Sequence, residues 1–155
     1  MTVDGAVVGT CGAGFAVFLA AHRDDTPAEA AKMADRVWGL RVFSDADGKM
    51  NRSLRDLVPA KTMGVLAVSN FTLYGDTSRN RRPSFSRSAP YDRGKELFEL
   101  FVEELRELGC PVQTGVFGAD MKVDAVGDGP VTLILDIAPA GGSPAEGEPL
   151  EAEGA

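Results

Sequence analysis

Histidine is almost absent from this chain: His22 stands alone among 155 residues. That scarcity bounds the chemistry. A Ser-His-Asp triad needs an imidazole held by a carboxylate. His22 lies in Ala21-His22-Arg23-Asp24-Asp25, a connection between an apolar run and a helix signal, where a polar or capping role suits it better than catalysis. One histidine and two distant cysteines, Cys11 and Cys110, also give no metal-ligand cluster. The cysteines form no CxxC pair, so two reduced thiols are expected. No GxSxG elbow, HExxH helix, Walker loop or GxGxxG fingerprint occurs. Asp45-Ala46-Asp47-Gly48 begins like a calcium loop, but Lys49 stands where a third oxygen ligand is needed. Neither a metal nor a cofactor is implied.

Long apolar runs are missing as well. Nothing approaches the roughly 18 consecutive apolar residues of a membrane-spanning helix. Met1-Thr2-Val3-Asp4-Gly5 carries no basic leader. The expectation is a soluble, cytoplasmic protein with no membrane partner. Net positive charge is lacking too, the formal value being −7. Its distribution matters more. From Ala138 onward the chain has Glu146, Glu148, Glu151 and Glu153 and no base, which leaves 19 acidic against 16 basic residues in the rest. Within that rest, Arg79, Arg81, Arg82 and Arg87 fall in nine residues. Such a patch can hold phosphate on an acidic protein, although a solvated loop accounts for it equally well.

What is present is one domain's worth of apolar material, 44% of the chain. Val3–Val8 reads as a short strand, Gly9–Gly14 as a turn and Phe15–Ala20 as a buried strand. Thr26-Pro27-Ala28-Glu29 combines an N-cap, a first-turn proline and a capping box, and Ala30, Ala34, Val37 and Trp38 continue at helical spacing to Gly39. Leu40–Phe43 and Met63–Ser69 read as strands, and Thr77–Pro90 as an Arg-rich loop. Tyr91–Leu108 is strongly amphipathic, with Leu97, Phe98, Phe101, Val102, Leu105 and Leu108 on one stripe. Val112–Phe117, Met121–Val126 and Val131–Ile137 read as strands. The fold class expected is α/β: a single domain over residues 1–137, with mixed, barrel-like sheets and two helices. Residues 138–155 are rich in Pro, Gly, Ala and Glu and predict a disordered tail.

Two segments are chemically unusual. Ser69-Asn70-Phe71-Thr72-Leu73-Tyr74-Gly75-Asp76 puts small polar residues where a buried strand ends, and Gly127-Asp128-Gly129-Pro130-Val131-Thr132 puts Gly-Pro before an apolar run. On pattern alone, a strand end and a tight turn account for both.

These two segments resemble the signatures of D-aminoacyl-tRNA deacylases, Ser-Gln-Phe-Thr-Leu-Tyr-Ala-Asp and Asn-x-Gly-Pro-Val-Thr. His22–Thr26, Leu40–Phe43, Asp47–Asn51, Arg81–Ser86 and Phe117–Met121 also look like family segments in family order, from about Thr2 to Asp136. The resemblance implies hydrolysis of the ester between a D-amino acid, or glycine mischarged on tRNA-Ala, and the 3′-terminal adenosine of tRNA. It also implies a homodimer in which a Gly-Pro pair with a cis peptide, here Gly129-Pro130, enters the partner's site and blocks L-amino acids. Ser69, Asn70, Phe71, Thr72 and Met121 would line the pocket, with backbone N–H groups near Phe71 and Thr72 on the ester carbonyl. Arg79, Arg81 and Arg82 would meet tRNA phosphates. Thr72 is a doubtful nucleophile, because a threonine hydroxyl without a base reacts poorly. A ribose 2′-hydroxyl, already held beside the ester by the substrate, is the better activator of water.

The sequence departs from the pattern at Asn70, where glutamine is usual, and at Gly127, where asparagine is usual. The family's first strand has no counterpart, so either the start lies upstream of Met1 or the domain is destabilised or inactive. A non-catalytic relative that binds a tRNA acceptor end or a protein therefore stands as the alternative. An unrelated hydrolase on a similar fold ranks third.

Overall fold

The computed structural model describes residues 1–58, 63–79 and 81–138. At its centre lies β6 (Met63–Ser69), apolar and buried up to Val68. β3 (Ala13–Leu19) and β7 (Val112–Thr114) flank it, and both ladders are parallel. A strand with neighbours on both edges and cover on both faces has no solvated side, which is why it reads as a continuous apolar run. β3 and β6 approach so closely at one end that a Cβ on Gly14 would overlap the Gly64 carbonyl, and one on Gly64 that of Pro111.

Helices α1 (Pro27–Gly39) and α3 (Tyr91–Glu107) cover one face of this sheet. Ala34, Val37 and Trp38 of α1 pack with Phe98, Phe101, Val102 and Leu105 of α3 and with Val65 and Ala67 of β6. Each large side chain buried this way contributes about 1.5–3 kcal/mol. The cap expected for α1 is present: the Thr26 hydroxyl accepts from Ala28 N–H at 3.3 Å, and the Thr26 N–H donates to Glu29 Oε2 at 2.8 Å. The opposite face of the sheet carries a smaller cluster of Met1, Leu66 and Val68, with Met121 and Val123 against it.

Several expectations are corrected. The sheets do not form a barrel: three separate sheets are present among the described residues, and none closes. Besides the two long helices there is a short one, α2 (Leu54–Leu57), where Ser53 N–H and Oγ both donate to Asp56 Oδ2. Val3–Val8 is a tight hairpin of β1 (Thr2–Val3) and β2 (Ala6–Val7). Its Asp4-Gly5 turn has φ of 48° and 80°, values that fit a two-residue I′ connection. The Leu40–Phe43 strand is shifted to β4 (Phe43–Ser44), paired with β5 (Met50–Arg52). Asp45 closes that hairpin by accepting from Asp47 and Lys49 N–H, so it serves a turn. Met121–Val126 contributes only one bridge, Lys122 to Thr2, and Val131–Ile137 joins no ladder. Apolar composition makes a strand only where a neighbour offers backbone partners. The expected tail from 139 onward lies outside the described residues.

No helix among the described residues is long and apolar enough to cross a membrane.

Candidate active site

Parallel register brings the C-terminal ends of β3 and β6 side by side, Leu19 opposite Ser69. Asn70 N–H extends the ladder by one bond to Leu19 O at 2.8 Å. The chain then leaves the sheet in a 3-10 turn, Phe71–Tyr74. In open α/β sheets the crevice beyond the strand C-termini is where ligands bind. Ser69, Asn70, Phe71 and Thr72 are thus brought together at this edge.

Phe71 and Thr72 are exposed, Ser69 and Asn70 half-buried, and none of these side chains is a base. Thr72 Oγ1 and Asn70 Oδ1 are 2.6 Å apart, so the hydroxyl donates to an amide oxygen, which cannot act as a base. His22 Nδ1 accepts from Asp24 N–H at 3.2 Å, and the ring packs against Tyr74; no hydrogen bond among the described residues links it to Thr72. Neither thiol is available as a nucleophile at neutral pH: burial raises Cys11, and burial pushes Cys110 up to about 11. No group of three His, Cys, Asp or Glu residues suited to a metal ion occurs among the described residues. What the edge does offer is backbone. Phe71 and Thr72 open the 3-10 turn, so their N–H groups have no acceptor within it.

The Arg-rich loop folds back on this turn. Asp76 and Ser84 exchange backbone hydrogen bonds at 2.8 and 2.9 Å, and Phe85 sets its ring against Phe71 with centroids 5.1 Å apart. Arg79, Arg81 and Arg82 are exposed and form no salt bridge among the described residues, while Asp76 lies close enough for Arg79 to lower its carboxyl.

Three nominated residues lie elsewhere. Met121 packs in the smaller cluster with Met1 and against Gly115. Gly129 and Pro130 sit in an exposed turn that no hydrogen bond among the described residues links to Ser69–Tyr74. Their peptide is trans, since no cis bond occurs among the described residues. That corrects the cis expectation: trans is favoured by about 0.5–1 kcal/mol, and an exposed turn without partners supplies nothing to reverse it. Gly129 has φ +108°, a region where a Cβ is strained. A Cβ on Gly127 would stand 3.1 Å from Pro130 Cβ, so the family's asparagine would be crowded in this conformation.

Sequence spacing gives no hint of Tyr74 or Phe85. Tyr74 is the half-buried member of the turn, edge-on to His22 with centroids 5.5 Å apart and under the Arg87 guanidinium at 5.9 Å. Their contacts arise between segments distant in the chain, and only tertiary structure shows them.

Two long helices on one face of a short parallel sheet, with a loop-built edge at its strand ends, make this a small α/β protein. A family model described as D-Tyr-tRNA(Tyr) deacylase matches residues 1–136, and the chain belongs to this D-aminoacyl-tRNA deacylase family. The D-aminoacyl-tRNA deacylase of Geobacter sulfurreducens is 50% identical over 134 residues, 86% of either chain. That of Thermus aquaticus is 52% identical over 136 residues, 88% of this chain and 87% of its own. Among solved structures, a c-Myc DNA unwinding element binding protein superposes with TM-score 0.79 at 34% identity, over 90% of this chain and 91% of its own. A probable eukaryotic D-amino acid tRNA deacylase shares the fold at TM-score 0.55 and 18% identity, over 68% of this chain and 75% of its own.

Proposed function

We propose that the chain hydrolyses the ester of D-aminoacyl-tRNA, releasing free tRNA and the D-amino acid, and acts likewise on glycine mischarged on tRNA-Ala. The observation that carries this reading is identity of about half with D-aminoacyl-tRNA deacylases over nearly the whole domain. It is joined by a strand-end site with free backbone donors and no competent side-chain nucleophile. The N–H groups of Phe71 and Thr72 hold the ester carbonyl and take up the developing negative charge, a fixed-dipole role that needs no side chain. The ribose 2′-hydroxyl of the terminal adenosine activates the attacking water. Arg79, Arg81 and Arg82 meet acceptor phosphates, for which their exposure leaves them available.

The protein acts as a cytoplasmic homodimer. Gly129 and Pro130 of one subunit wall the site of the other, and a rigid Gly-Pro edge rejects an L side chain by clash. Their exposed position and lack of bonds to the site of their own chain support a part delivered across an interface. Incubation with D-Tyr-tRNA and L-Tyr-tRNA tests the reading. Release from the D form alone is expected. A folded protein that releases neither would leave the non-catalytic binding relative, and equal release from both would remove the gate.

A further inference from the structure

The Phe71–Tyr74 turn presents a mechanical problem. Phe71 and Leu73 are each 58% exposed, and Thr72 is exposed as well. Beyond the Phe71–Phe85 ring contact such an exposed segment has little packing, yet a site working through fixed backbone dipoles needs its geometry held within fractions of an ångström. Tyr74 alone of the four is half-buried.

The slot that receives it is rigid on two sides. One wall is the His22–Asp25 connection. His22 N–H donates to Asp25 Oδ2 at 2.7 Å, Asp24 N–H donates to His22 Nδ1 at 3.2 Å, and Arg93 of α3 donates to the Asp25 carbonyl at 3.1 Å. The other wall is the Ser86–Ala89 end of the Arg-rich loop, tied to the first by Arg23 N–H to Arg87 O and Ala89 N–H to Ala21 O, both at 2.9 Å. The His22 ring meets the Tyr74 ring at 60°, and Arg87 caps it. Enclosure, with Asp25 and Asp136 nearby, pushes the Tyr74 hydroxyl up to about 12, so it stays protonated at neutral pH.

The geometry points to Tyr74 as a positioning residue, whose ring, clamped between His22 and Arg87, fixes the Phe71–Thr72 backbone for catalysis. This rests on the assignment of Ser69–Thr72 to the substrate pocket. It assigns His22 a job other than acid–base chemistry, as one jaw of the clamp. The ring is the functional part, because its contacts with the His22 ring and the Arg87 guanidinium are what clamp it.

The test compares Tyr74→Ala with Tyr74→Phe in deacylation of D-Tyr-tRNA, alongside hydrogen exchange of the turn amides. Tyr74→Ala is expected to lower kcat by about 10- to 100-fold, the scale of a misplacement near 1 Å, with KM within about twofold. Tyr74→Phe is expected to restore kcat to within about twofold of wild type. Exchange at Phe71, Thr72 and Leu73 should quicken in Tyr74→Ala and not in Tyr74→Phe, while the α3 amides hold. Should Tyr74→Ala fail to fold, Tyr74→Leu fills the slot without an aromatic edge and is read in the same way. Wild-type kcat in Tyr74→Ala, an equal loss in Tyr74→Phe, or a rise in KM alone would each overturn the proposal. Exchange does not depend on turnover. A wild type without activity would therefore sink the deacylase reading, while unchanged exchange in Tyr74→Ala would sink the clamp.

Discussion

Replacing Thr72 with alanine separates two mechanisms by orders of magnitude. The hydroxyl makes one side-chain hydrogen bond, to Asn70 Oδ1 at 2.6 Å, and both residues are at or near the surface. Such a bond contributes about 0.5–1.5 kcal/mol net, and exposure places this one toward the lower end. If all of that were spent on holding the site, the rate would fall about 2- to 10-fold, at 1.36 kcal/mol per decade. Deleting a true nucleophile removes the reacting atom, and decreases on the order of 10⁶ in kcat are then usual. Single-turnover release of D-tyrosine from D-Tyr-tRNA, at fixed pH and with enzyme in excess, reads the chemical step directly. A decrease within about tenfold is expected for Thr72→Ala. A decrease beyond about a thousandfold, in a variant with unchanged Tm, would refute the backbone mechanism and make Thr72 the nucleophile.

Other outcomes follow from the same geometry. Gly14→Ala should cost on the order of 4 kcal/mol or more, because its Cβ would overlap the Gly64 carbonyl; a soluble variant with wild-type Tm would contradict the β3–β6 packing. Gly129→Ala should carry roughly 1–2 kcal/mol of strain at φ +108° and shift the gate; the ratio of L-Tyr-tRNA to D-Tyr-tRNA hydrolysis should rise, and a constant ratio would count against the gate. Burial raises the Asp25 carboxyl above its ordinary value, and its Oδ1 has no hydrogen-bond partner. The folded state then binds more protons at Asp25 than the unfolded one between the ordinary and the raised value, so this carboxyl's contribution to stability declines as pH rises through that window, opposite in sign to the contributions of Asp45, Asp56 and Asp76. Asp25→Asn should remove that contribution and make the pH dependence of stability in urea titrations from pH 3 to 7 more positive, and an unaltered slope would argue against it. The double variant Arg81→Ala, Arg82→Ala should raise KM at low salt and make log KM less steep against log salt, by about 0.7–0.9 for each phosphate that is no longer neutralised; equal slopes would remove both arginines from the tRNA surface.

The legible parts of the fold were those whose signals are local. Thr26, Pro27 and Glu29 mark the start of α1 because a cap is built within one turn. The stripe from Leu97 to Leu105 marks α3 because one face of a helix repeats along the sequence. The barrel-like closure, and the strands expected over 121–126 and 131–137, depended on partners that no local pattern specifies. At the site, pattern alone gave a strand ending at polar residues, and the nomination of Ser69–Thr72 came from the resemblance to the family signature. Tyr74 could not be read the same way, because its neighbours His22 and Arg87 come from connections far apart in sequence. Met121 shows the opposite case: it belongs to a recognisable segment, yet it packs in the smaller hydrophobic cluster.

The ladderless segment after Pro130 has a colloidal consequence. Val131, Leu133 and Ile134 are 46, 54 and 95% exposed, in a run of β-formers free of charge from Val131 to Leu135. Free backbone groups beside such side chains template further strands of their own kind. An uncovered segment of this kind is expected to lower solubility by association with its own copies, an effect that net charge alone does not describe.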